Sequence, residues 1–211
     1  MNLHKDNIQA YCNKNTSPQS ELLMELERKT HLDTLAPQML TGHFQGRFLA
    51  MLSKMLRPHR ILEIGTFTGY GALCLAEGLG PDAALHTIEV NEEITGLAQS
   101  FFDRSEYGDR IHLHLGNALE LIPTWDTNWN LVFLDAAKTD YQAYYELLLP
   151  KMSSGDIILA DNVLWSGKVL QESNDADTKA LQSFNIHVTN DNRVENVLLP
   201  VRDGLMMVRK H

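Results

Sequence analysis

Residues 60–71 read RILEIGTFTGYG, an apolar run that stops in a glycine-rich turn. Two later runs stop in a similar way. LVFLDAAK at 131–138 ends in acid and lysine, and IILADNVLW at 157–165 places acid and amide together. In an open α/β sheet, ligands bind outside the carboxyl ends of the strands. Three such ends in one chain address one cleft. One end is glycine-rich, and the other two carry carboxylate, lysine and amide.

Working outward from this stretch, strand and helix patterns alternate. RILEIG precedes a helix over YGALCLAEGL, and ALHTIEV precedes NEEITGLAQSFFDRS. RIHLHLG precedes a short helix in NALELIPTW, NLVFLDA precedes YQAYYELLLPKM, and DIILADN follows. SFNIHVTN and GLMMVRK read as two late strands joined through Pro200 and Gly204. The pattern predicts a doubly wound, seven-stranded, mostly parallel sheet with a C-terminal antiparallel hairpin. Residues 1–58 show no strand pattern and read as helical. Thr16 or Ser17 offers an N-cap with Pro18 at the first helical position. Leu22, Leu23, Leu26, Leu32 and Leu35 space as one helix face, and Phe44, Phe48, Leu52 and Met55 as another. The chain reads as a single domain over 1–211, a helical segment 1–58 leading into an α/β core 59–211. QESNDADTKA at 171–180 reads as an exposed loop entering a helix.

The chain has 211 residues, 44% of them apolar, enough for one sizeable core. A net charge of −9 gives no bulk attraction to a phosphate backbone or an anionic membrane. Cys12 and Cys74 are too few and too far apart for a disulfide framework or a metal knuckle. MNLHKDNIQAY is polar, and no run approaches the ~18 apolar residues of a membrane span. The expected location is therefore the cytoplasm.

Four sets of residues carry chemistry. Gly65, Gly69 and Gly71 allow a tight turn and close approach of backbone to a ligand, ahead of a helix whose N–H groups are free. The spacing G-x-x-x-G-x-G departs from the dinucleotide fingerprint G-x-G-x-x-G. Glu89, closing ALHTIEV, is placed to accept from ribose hydroxyls, or else to cap the acidic helix that follows. Asp135, Asp161 and Asn162 are hard oxygen donors, suited to Mg²⁺, Mn²⁺ or Ca²⁺ rather than zinc. They could also serve as a cap and a buried acceptor. Lys138 reaches the same cleft as a general base toward a hydroxyl, or else stands as a surface lysine. His112 and His114 share one face of a strand with no second ligand set in sequence beside them, which reads as structural.

These residues resemble the cation-dependent class I S-adenosylmethionine O-methyltransferases, the group of caffeoyl-CoA and catechol O-methyltransferases and their bacterial relatives. LEIGTFTGYG, FLDAAK, ILADNVLWSGKV and LLPVRDGL fall in the family's order and spacing from about Leu35 to Lys210. The resemblance implies a Rossmann-like fold. It also implies that Glu63, Gly65 and Thr66 line the methionine part of the cofactor, with Thr41 at its carboxylate end and Gly71 offering an N–H. Glu89 would hold the ribose and Ala118 the adenine. Asp135, Asp161 and Asn162 would bind the divalent cation, Mg²⁺ foremost, with Asp135 also touching the cofactor and serving catalysis. Lys138 would be the base. Trp165, Arg193 and Met39 would contact a small phenolic acceptor. A homodimer built on the helical N-terminus and the late hairpin is implied as well. Two positions depart from the family. Many relatives read GYS where this chain has Gly69-Tyr70-Gly71. Many also read DADK where it has Asp135-Ala136-Ala137-Lys138, which disfavours a plant-like phenylpropanoid-CoA acceptor.

The same chemistry fits a second acceptor, a hydroxylated wobble uridine in transfer RNA. The acidic net charge opposes it. Lys5, Lys14, Arg28, Lys29, Arg47, Lys54, Arg57 and Arg60, concentrated in the N-terminal third, support it. A nicotinamide oxidoreductase would need the other glycine spacing. A non-catalytic cofactor binder would not need Asp135, Lys138, Asp161 and Asn162 together.

Overall fold

The computed structural model describes residues 3–211, with side chains from Asn7 onward. Three helices, α1 (Leu3–Lys14), α2 (Glu21–Asp33) and α3 (His43–Leu56), precede β1 (Arg60–Ile64). Then come α4 (Tyr70–Ala76), β2 (Ala84–Glu89), α5 (Glu92–Phe102), β3 (Ile111–Leu115) and α6 (Ala118–Leu121). The chain continues through β4 (Leu131–Leu134), α7 (Tyr141–Leu148), β5 (Ile157–Asp161) and α8 (Ala176–Thr189). It ends with β6 (Val194–Leu199) and β7 (Leu205–Lys210). The seven strands form one sheet in the order β3-β2-β1-β4-β5-β7-β6. The first five are parallel, while β7 runs antiparallel to β5, and β6 to β7. The strand order reverses between β1 and β4, the place where such sheets bind ligands.

Period-two alternation sorts the strand residues onto two faces. Ile61, Leu85, Leu131, Phe133, Ile157 and Leu159 pack with Leu23, Leu26, Leu49, Leu73 and Phe101 from α2 to α5. Leu62, Ile64, Val132, Leu134, Ile158 and Ala160 pack with Tyr141, Tyr145, Leu148, Leu181 and Phe184 from α7 and α8. β4 and β5 are buried at every position, which is why they read as continuous apolar runs. Among the described residues, no helix is long and apolar enough to cross a membrane.

Three local expectations are corrected. SFNIHVTN is not a strand. It lies in α8 and the residue after it, and the sixth strand is Val194–Leu199. As part of α8 this stretch buries Phe184 and Val188 on the same face as Leu181 and leaves Ile186 in solvent. Each such burial contributes about 1.5–3 kcal/mol. That outweighs the β preference of Ile and Val, a scale spanning about 1 kcal/mol. Asp175 caps the helix by accepting from Thr178 N. The second correction is the start of α2, which begins at Glu21 on a Ser20 cap. The Thr16 hydroxyl is spent on Cys12 O at the end of α1. Third, the buried stripe of α3 is rotated from the aromatic one. Gln45, Leu49 and Ser53 face the core, while Met55 is exposed. Leu32 and Leu35 are exposed too, and α2 packs through Leu23, Leu26 and Thr30.

Candidate active site

The same alternation places the acids. Glu63 follows Leu62, Asp135 follows β4 two residues past Phe133, and Asp161 closes β5 two residues past Leu159. All three have the parity of the face covered by α2 to α5, at the carboxyl ends of adjacent strands. Gly65 lets the β1 and β4 ends meet. Its φ is +99°, and a Cβ there would lie 2.0 Å from Asp135 O. The Gly65 and Thr66 N–H groups donate to Ile88 O at 3.0 and 3.2 Å.

On the glycine-rich side, Glu63 is buried and accepts from the Thr87 hydroxyl, which in turn accepts from Thr66. Burial pushes the Glu63 carboxyl up to about 8, and the charges of Asp135 and Glu89 add to the rise. A positively charged ligand group beside it would favour the ionised form. Gly71, at the start of α4, sits so close that a Cβ would lie 2.4 Å from Glu63 Oε1 and 3.4 Å from Thr41 Oγ1. Thr41 is therefore gathered with Glu63 and Gly71. Arg202, in the β6–β7 turn, donates to the carbonyls of Leu40 and Thr41 and so holds that segment in place. Glu89 does not cap α5, because Asn91 does. Its carboxylate instead accepts N–H groups from Phe67 at 2.7 Å and from Val90 and Asn91 at 2.9 Å each. This ties the turn after β1 to the end of β2. Ala118 is buried at the first position of α6, beyond the end of β3.

On the acidic side, Lys138 Nζ donates to Asp135 Oδ1 at 3.1 Å and to the Tyr141 hydroxyl at 2.8 Å. The Tyr141 proton is shared between Leu134 O at 3.0 Å and Asp161 O at 3.1 Å. Burial, then the charges of Asp135 and Asp161, holds Tyr141 well above the usual phenol range, so it stays protonated. Asp161 is buried and accepts from Gln45 Nε2 at 2.7 Å and from Asn162 N at 2.8 Å. Burial, then the charge of the neighbouring Asp135, pushes its carboxyl up to about 7. Asn162 has φ +60°. The turn after it is held by the β6–β7 turn, with Val163 N donating to Gly204 O and Leu164 N to Asp203 O. A buried acid whose pKa a neighbouring carboxylate raises, next to an amide, fits a hard divalent cation, which would favour its ionised form.

The acceptor-side residues separate. Trp165 lies in the turn after Asn162, its backbone N–H donating to Asn162 O, and its ring packs against the α7–α8 side of the core. Met39 is exposed, two residues before Thr41. Arg193 is not brought to the cleft. It immediately precedes β6, whose Val194 pairs with Lys210 at the far end of β7. Since β7 is antiparallel to β5, that is the end of the sheet opposite Asp161. There Arg193 donates to Asp191 and Glu146.

Sequence reasoning missed Gln45, Tyr141 and Arg202. Tyr141 lies three residues past Lys138, close enough to suggest contact, whereas Gln45 and Arg202 carry no such signal. His86 was missed as well. It lies beside His112 in register and its Nδ1 is 2.9 Å from His114 Nε2. Of the N-terminal cations, Arg47 and Lys54 are bound to Glu77 and Lys29 to Asp33, while the Lys5 side chain lies outside those described.

Residues 13–211 match the family model described as O-methyltransferase, and the chain belongs to that family. It is 34% identical over 145 residues to the catechol O-methyltransferase of Mycobacterium tuberculosis, covering 68% of this chain and 66% of that protein. It is 33% identical over 179 residues to probable caffeoyl-CoA O-methyltransferase 2 of Dictyostelium discoideum, covering 82% and 78%. The SAH-bound structure of the Podospora anserina methyltransferase PaMTH1 superposes with a TM-score of 0.91 at 29% identity, covering 100% of this chain and 96% of that one. The protein is an S-adenosylmethionine-dependent O-methyltransferase.

Proposed function

We propose that this enzyme methylates one hydroxyl of a catechol-like aromatic acceptor and uses a divalent cation, Mg²⁺ foremost, held by Asp135, Asp161 and Asn162. The observation that carries the reading is the convergence of Asp135, Lys138 and Asp161 at two adjacent strand ends, with Lys138 Nζ 3.1 Å from Asp135. The bound cation would supply Lewis acidity toward both oxygens of a vicinal diol and make the reacting hydroxyl easier to deprotonate. Lys138, when unprotonated, takes the hydroxyl proton on Nζ. The acceptor oxygen then forms its bond to the methyl carbon as the carbon–sulfur bond breaks, and that electron pair stays on sulfur. The departing thioether is neutral and needs no acid. The protein's share of the rate is placement and charge complementarity.

Glu63, Gly65, Thr66, Gly71 and Thr41 would hold the methionine end of the donor. Glu89 would take the ribose hydroxyls and Ala118 the adenine. Asp135 would border both the donor and the acceptor. Met39 and Trp165 would form walls of the acceptor pocket. The names of the mycobacterial and Dictyostelium relatives support an acceptor of the catechol or caffeoyl type. Exposed Ile8 and Tyr11 on α1 and Met51 and Met55 on α3 support a homodimer through the N-terminal helices, checked by sedimentation. Asp161→Ala tests the site assignment. Turnover should vanish while S-adenosylmethionine still binds in calorimetry, and retained turnover would refute the assignment.

A further inference from the structure

Gln45 is fully buried on α3, among Gly46, Leu49 and Ala50 and far in sequence from the strand ends. Its Nε2 donates to Asp161 Oδ2 at 2.7 Å, across 116 residues of chain. The other carboxylate oxygen accepts the Asn162 N–H at 2.8 Å. With one donor on each oxygen, the carboxylate cannot rotate freely. Each oxygen keeps lone-pair capacity for a ligand. With Asp161 ionised, as a bound cation would leave it, the opposite amide orientation would set Gln45 Oε1 against a carboxylate oxygen. In the orientation adopted, Oε1 is buried and has no hydrogen-bond partner among the described residues. An amide at a core-facing helix position, with one end left unpaired, is costly to bury. A Leu or Met there would pack without that cost. What the amide supplies is the contact with Asp161.

From this we infer that Gln45 is a positioning residue for Asp161. Its N–H fixes the carboxylate in the orientation in which Asp161 receives the divalent cation. The inference rests on the cation reading above. Partners that orient metal ligands from behind typically contribute 10- to 100-fold in metal affinity.

The test is a Mn²⁺ titration of the full-length protein, followed by electron paramagnetic resonance, beside a calorimetric titration with S-adenosylhomocysteine. Gln45→Met keeps the length and removes the donor. Gln45→Asn keeps the amide but withdraws it by one methylene. Both variants should raise the Mn²⁺ Kd by about 10- to 100-fold and leave S-adenosylhomocysteine affinity within about threefold. Raising Mn²⁺ should restore turnover in both, which a purely structural defect would not allow. Mn²⁺ affinity within about twofold of the parent would overturn the inference. So would parallel loss of Mn²⁺ and S-adenosylhomocysteine binding, or failure of both variants to fold, because either would show that the amide serves the fold. A parent protein that binds no Mn²⁺ would overturn the cation reading itself and the inference with it.

Discussion

Lys138 Nζ lies 2.8 Å from the hydroxyl of Tyr141, whose own proton is directed at the backbone carbonyls of Leu134 and Asp161. One phenol thus ties the ammonium group to the ends of β4 and β5. Tyr141 is fully buried, so its geometry is set by packing against Phe184 and the α7 helix. If Lys138 is the base, Tyr141→Phe should lower kcat by roughly 10- to 100-fold through misplacement, with KM for S-adenosylmethionine unchanged. Lys138→Met should cost roughly 10²- to 10⁴-fold. Steady-state kinetics on both variants checks this, and a full kcat in Lys138→Met would remove the base assignment.

The pH dependence of stability is set in part by Glu63. Burial raises its carboxyl from 4.5 to about 8 in the folded protein. Between those values the native state holds a proton that the unfolded chain has released. Stability therefore falls as pH rises through the window, on the order of 1 kcal/mol per pH unit, and levels off above it. Asp161, raised to about 7, acts in the same direction below neutrality. His86 is pushed down to about 4, first by burial and then by His112 and His114, and acts oppositely, but only below its ordinary value of 6.5. The cleanest interval is pH 7 to 8. There the parent should lose Tm with rising pH, and Glu63→Gln should flatten the slope. An unchanged slope in the variant would mean that Glu63 ionises normally.

The centre of the sheet was legible because β1, β2, β4 and β5 are buried at nearly every position and give way to residues that cannot continue an apolar run. Gly65 after β1, Asp135 after β4 and Asp161 closing β5 are such residues. The acids could be assigned to one cleft because strand ends in this architecture share an edge. Side-chain partners were less legible. Gln45 sits next to Phe44 in a helix whose aromatic and methionine positions suggested another buried face, so its depth emerged only with the packing of α3 on the sheet. Phe184, Ile186 and Val188 alternate like a strand, yet Leu181, Phe184 and Val188 also repeat like a helix, and burial decided between them. Arg193 was placed by resemblance alone. The antiparallel turn of β6 carries it to the other end of the sheet.

That displacement has a direct consequence. Arg193 is half exposed and binds Asp191 and Glu146. Arg193→Ala should leave kcat and both KM values unchanged and cost no more than about 1 kcal/mol of stability. Urea denaturation and steady-state kinetics together check it. A selective rise in acceptor KM would restore Arg193 to the substrate site.

Gly65 admits no substitution on two counts. Its φ of +99° disfavours any L side chain, and a Cβ would lie 2.0 Å from the Asp135 carbonyl oxygen. Gly65→Ala should cost at least about 2 kcal/mol from backbone strain and overlap together. By separating the β1 and β4 ends it should also weaken S-adenosylmethionine binding in calorimetry. Parent-like stability and affinity would mean that the two strand ends need not touch.

The most direct test of the account is methyl transfer from labelled S-adenosylmethionine. Catechol and unmethylated transfer RNA would be supplied as acceptors, each with Mg²⁺ and with excess chelator. Label should appear on catechol with Mg²⁺, vanish with chelator, and return when Mg²⁺ is restored. Label on catechol that persists through exhaustive chelation would contradict the role given to Asp135, Asp161 and Asn162. Label confined to transfer RNA would contradict the acceptor.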